Sequence, residues 1–101
     1  MRFLLIVTPD LELFNENFKN GTVGQKMQAI MQETKPEAAY FTDIDGLRTA
    51  FVIVNIDKAS QMPSVAAPWS LAFNAAVEFH PVMLGEDLAN ANLLELGKKW
   101  Q

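Results

Sequence analysis

The 101-residue chain has no cysteine, one histidine, one tyrosine and fewer cations than carboxylates, eight against twelve. The missing cysteine removes thiol nucleophiles, thiolate metal sites and disulfides together, and it leaves the redox compartment open. A net charge of −4 supplies no basic face for a nucleic-acid partner. No apolar run approaches the roughly 20 residues that cross a bilayer. The opening MRFLLIVTPD stops at Pro9, too short for a signal peptide, so the expectation is a soluble cytoplasmic protein. Repeats, low-complexity stretches and linkers are also missing.

Half of the residues are hydrophobic. A single domain spanning 1–101 can therefore build a core, since chains of about this size bury roughly 60–70% of their unfolded surface. The stretch around which it is organised is Ala38–Ile56, AAYFTDIDGLRTAFVIVNI. It predicts a β-hairpin turning at Asp45-Gly46, because both central residues of a type I′ turn need positive φ. That turn sets Ile44 opposite Leu47, Asp43 opposite Arg48, Thr42 opposite Thr49 and Tyr40 opposite Phe51. One face then holds Ala39, Phe41, Ala50, Val52 and Val54. The other holds Tyr40, Thr42, Thr49, Phe51, Ile53 and Asn55, and both are too apolar to meet water.

Arg2–Thr8 shows no polar alternation within Phe3–Val7 and predicts a central strand covered on both sides. Leu11, Phe14 and Phe18 recur at helical spacing up to a stop at Asn20-Gly21. A second helix, Val23 to about Thr34, has the stripe Val23, Met27, Ile30 and Met31, with Thr22 and Gln25 placed for a capping box. Asp57 is placed to cap a short helix from Lys58 that Pro63 and Pro68 limit. Ala75–Met83 predicts a fourth strand, and Pro81 puts it at an edge or at its own end. Glu86–Lys99 predicts a last helix burying Ala89, Leu93, Leu96 and Trp100.

The order is β-α-β-β-α-β plus a terminal helix, an α+β ferredoxin-like fold with a four-stranded antiparallel sheet. Right-handed crossovers place the main helices on one face and leave the other bare. The expected cover for that face is a second copy, a homodimer through the sheet, with the terminal helix as an alternative or additional cover.

Together with this order, the runs KPEAAYF (35–41), AFVIVN (50–55) and VEFHPVMLGEDLANA (77–91) resemble the small muconolactone-isomerase-like proteins of the dimeric α/β-barrel superfamily. The resemblance implies a dimer whose two sheets form a barrel-like core, and pockets for small molecules within it or between sheet and helices. The superfamily includes isomerases, monooxygenases and proteins without known activity, so the fold alone assigns no function. No catalytic motif matches residue by residue, and none is carried over.

The candidate chemistry rests on few residues. Glu78 and His80 project from one face of a strand, and with Tyr40 and Trp69 they are expected to line a pocket. There His80 would serve as acid/base and Glu78 would orient it, for a substrate such as a small organic acid or lactone. The plainer reading is an edge strand with polar outward positions. For Arg48, a cross-strand ion pair with Asp43 is favoured over binding a substrate carboxylate. Tyr40 suits a pocket wall or a half-buried strand. Trp69 is a core anchor or a lid, core being favoured. Met27, Met31, Met62 and Met83 fill core gaps. A lone histidine with scattered carboxylates makes no metal ligand set, no triad is supportable, and no cofactor is expected. Two readings remain: an isomerase-like or monooxygenase-like enzyme without cofactor, and a non-catalytic ligand-binding or interaction module. A ligand-sized cavity holding Glu78 and His80 separates them.

Overall fold

The run Phe3–Val7 lies in β1 (Arg2–Thr8), which pairs on both sides, with β3 (Leu47–Asn55) and with β4 (Ala76–Pro81). The hairpin partner β2 (Ala38–Ile44) completes a four-stranded antiparallel sheet of order β2-β3-β1-β4. The computed structural model describes residues 1–101. Between β1 and β2 run α1 (Leu11–Asn20) and α2 (Val23–Thr34). Between β3 and β4 run a 3-10 turn (Ala59–Gln61) and α3 (Met62–Phe73). Two short helices, α4 (Gly85–Ala89) and α5 (Leu93–Lys99), follow the sheet. Each split crossover skips one strand, which is the ferredoxin-like arrangement.

The hairpin register is the expected one at every pair from Ala38–Ile53 to Ile44–Leu47. Asp45 and Gly46 both take positive φ, 54° and 77°. Because opposed residues share a face, the register assigns the whole sheet. Leu5, Val7, Ala50, Val52 and Val54 are buried on the helix side, where Ile30 of α2 and Trp69 and Phe73 of α3 complete the core. Trp69 and Phe73 stack with centroids 6.3 Å apart, and Phe14 of α1 tilts onto Phe73 at 5.7 Å. Lys26 ties α2 to α3 by donating to the Ala72 carbonyl at 2.8 Å. The other side carries Leu4, Ile6, Phe51 and Ile53, half-buried only by their own neighbours in the sheet, and Tyr40, which is exposed.

Local chemistry departs from expectation at several positions. Thr22 does not close a box with Gln25. Its hydroxyl lies 2.8 Å from Asn17 Oδ1 and 2.7 Å from Asn20 Oδ1, so the two amide oxygens at the end of α1 take it in place of the cap. The Asp57 side chain caps nothing; instead the Gln61 amide oxygen accepts from the N–H groups of Asp57 and Lys58. α3 runs through both prolines. Pro63 stands in the first turn, where an N–H has no partner to lose, and Pro68 gives up one bond inside a helix held by two buried aromatics. Met83 is exposed rather than a core filler. The terminal helix is broken at Asn90–Asn92, and its expected stripe is not buried: every residue from Met83 to Gln101 is exposed.

Arg2 closes the sheet end opposite the turn with a two-point contact to Glu37, Nε to Oε2 at 2.7 Å and Nη2 to Oε1 at 2.5 Å. This side-chain hydrogen bonding holds the Glu37 carboxyl below its ordinary value of 4.5; desolvation opposes it and the Arg2 charge adds to it. A depressed carboxyl stabilises the fold at pH above its unfolded value and loses that effect as pH falls through the folded one. Glu37→Gln is therefore expected to lower the melting temperature near neutrality, with the gap to wild type closing below about pH 4.5. Melting curves from acid to neutral pH check this; a gap that persists in acid contradicts it.

Candidate functional site

The sheet separates the residues that the sequence placed together. Tyr40, Phe51, Ile6 and Glu78 form one row across the bare face, and Ala38, Ile53, Leu4 and His80 form the next. Tyr40 and Glu78 thus sit on opposite edge strands, three strand spacings or roughly 14 Å apart. Glu78 and His80 do share a face, with His80 Nε2 3.2 Å from Glu78 Oε2. Both side chains are more than half exposed in the single chain, 66% and 51%. Trp69 lies on the other side of the sheet and is buried among core residues.

A cleft of about 490 Å³ opens on the helix side, near the hairpin turn. Phe41 belongs to the face that α1 and α2 cover, yet it is 57% exposed, and Phe18, which also lines the cleft, is 65% exposed. Phe14, Met27 and buried Trp69 complete the apolar walls, and Arg48 supplies the cation. Of the expected site residues, Trp69 and Arg48 line this cleft, whereas Tyr40, Glu78 and His80 do not.

Arg48 is opposed to Asp43 in the register, but no ion pair joins them. The guanidinium turns to α1 instead. It lies 4.8 Å from the centroid of Phe14 and 5.5 Å from that of Phe18, and Nη1 donates to Asn15 Oδ1 at 2.6 Å. Phe14 and Phe18, one helical turn apart, present a double aromatic face, which attracts a planar cation more than an exposed carboxylate in water does. One of its five N–H groups has a protein acceptor, so the others are free to meet an incoming anion. Sequence reading missed Asn15: 33 residues separate it from Arg48, and nothing local links them. The Phe14–Phe18 spacing carried the only available signal.

No group of three histidine, aspartate or glutamate side chains is placed to hold a metal ion, and no helix is long and apolar enough to cross a membrane. The geometry defines a ferredoxin-like domain with an aromatic cleft, one guanidinium at its wall and the Glu78–His80 contact on the opposite sheet face. No protein-family model and no curated protein matches the chain.

If the aromatic faces rather than Asp43 hold Arg48, the two partners respond differently to substitution. Asp43→Asn should change stability by less than about 0.5 kcal/mol, and Arg48→Met should cost about 1 kcal/mol. Urea denaturation of both variants measures this, and equal losses would show that the carboxylate is the partner.

Proposed function

We propose that the cleft binds a small organic acid with an apolar or aromatic body. The observation that carries this reading is Arg48, placed over two phenyl rings at the cleft wall with only a neutral acceptor on its guanidinium. A carboxylate takes two parallel N–H groups of such a fork. Phe18, Phe41 and Met27 offer the remainder of the ligand an apolar enclosure, and a volume near 490 Å³ is within the range of small-molecule sites. The protein acts as a homodimer in which two bare sheet faces stack, since Leu4, Ile6, Phe51 and Ile53 have no cover in one chain.

Trp69 lines the cleft and reports on it. In a Trp100→Phe background, benzoate should change Trp69 emission saturably, and Arg48→Met should weaken binding about tenfold or more, the loss of a charge-assisted contact. The neutral isostere benzamide should bind less well than benzoate by a similar factor. An emission unmoved by benzoate, or equal affinity in Arg48→Met, overturns the assignment.

The 3.2 Å contact between His80 and Glu78 favours a second reading, isomerisation of a lactone acid by proton transfer in the manner of muconolactone isomerases. His80 removes a proton beside the carbonyl and returns it elsewhere on the ring, Glu78 orients the imidazole, and the stacked partner sheet excludes water. Lactone turnover, followed by absorbance, should be lost in His80→Ala and Glu78→Gln with the fold intact. Activity that survives both changes rules this reading out.

A further inference from the structure

Beyond Val82, whose N–H donates to the Arg2 carbonyl at 3.1 Å, every hydrogen bond of the C-terminal arm stays inside the arm. The arm is not polar. Leu84, Leu88, Leu93, Leu94, Leu96 and Trp100 are exposed, and none packs against the core. Leu93, Leu96 and Trp100 recur at helical spacing, so α5 presents one apolar stripe with nothing against it. Lys98 and Lys99 stand in its last turn, as in a helix that is meant to form.

The molecule as a whole is extended. The radius of gyration is 17.0 Å and the longest dimension 59 Å, whereas a compact chain of this length has a radius near 13 Å. The solvent-accessible surface is 7080 Å², against about 5,700 Å² for a compact monomer of this size. The excess, on the order of 1,300 Å², is more than the roughly 800 Å² that each partner buries in a stable complex. The bare sheet face and the bare stripe occur in the same chain, so a second copy offers each of them a counterpart.

We infer that the C-terminal arm, residues 83–101, packs on a second copy of this chain rather than on its own body, with the Leu93–Leu96–Trp100 stripe against the partner. This inference rests on the sheet-face dimer proposed above and extends it: sheet stacking brings the copies together, and exchanged arms clasp them. The enclosure of the Glu78–His80 face would then depend on a partner chain.

Full-length variants test the two layers separately. Tyr40→Glu charges the sheet face, and Leu96→Glu with Trp100→Glu charges the arm; all three positions are exposed in the single chain, so the core is left intact. Light scattering across a dilution series should show wild type as a dimer and both variants dissociating at concentrations at least about tenfold higher. Trp100 emission in a Trp69→Phe background should be blue-shifted in the dimer and move to the red on dilution. An arm variant that dimerises as tightly as wild type overturns arm exchange and leaves the sheet-face dimer standing. A wild-type monomer at all concentrations overturns both, and a Trp100 that stays water-exposed in the dimer overturns arm exchange alone.

Discussion

Everything in this domain follows from a sheet that is apolar on two sides and owns helices for one. The central strand β1 pairs with two neighbours, so its alternate residues are committed to opposite faces. Leu5 and Val7 go to the helices, and Leu4 and Ile6 to the side without any. Apolar area left in water costs roughly 25 cal/mol per Å², and only 11 of 101 residues are buried in the single chain. That fraction is low for a chain with this hydrophobic content, and the deficit lies in two places: the bare face and the arm.

The cleft has a different origin. It lies near the hairpin turn, where Phe41 and Phe18 both line it and stay exposed instead of closing a core. Arg48 stabilises the gap without filling it. Its guanidinium lies against the rings of Phe14 and Phe18, while its N–H edge stays available. A lysine here would keep the charge and lose the planar stacking and the paired donors. The cleft and the Glu78–His80 contact lie on opposite faces of one sheet, so within a single chain they are two separate candidate sites.

Much of the fold is legible from neighbouring residues alone. The Asp45-Gly46 turn, the register it imposes and the division of Ala39, Phe41, Val52 from Tyr40, Phe51, Ile53 depend on a two-residue turn and a period of two, and both hold in the structure. The stripe of α2 is equally local. Local rules fail where another nearby side chain, or packing against the core, offers a better arrangement. Asn17 draws the Thr22 hydroxyl away from a capping box, Gln61 takes over the cap assigned to Asp57, and buried Trp69 and Phe73 carry α3 past Pro68.

The candidate site divides along the same line. Facing direction along a strand is a property of the chain itself, so a spacing of two is enough to set Glu78 and His80 side by side. Distance across the sheet is not, because strand order decides it: β3 and β1 intervene between Tyr40 and Glu78. Arg48 shows the difference most sharply. Pattern puts it opposite Asp43, and that is where its backbone lies. Its side chain goes to Phe14, Phe18 and Asn15. Only the packed fold brings two ring faces and an amide oxygen within reach, and together they outweigh one solvated carboxylate.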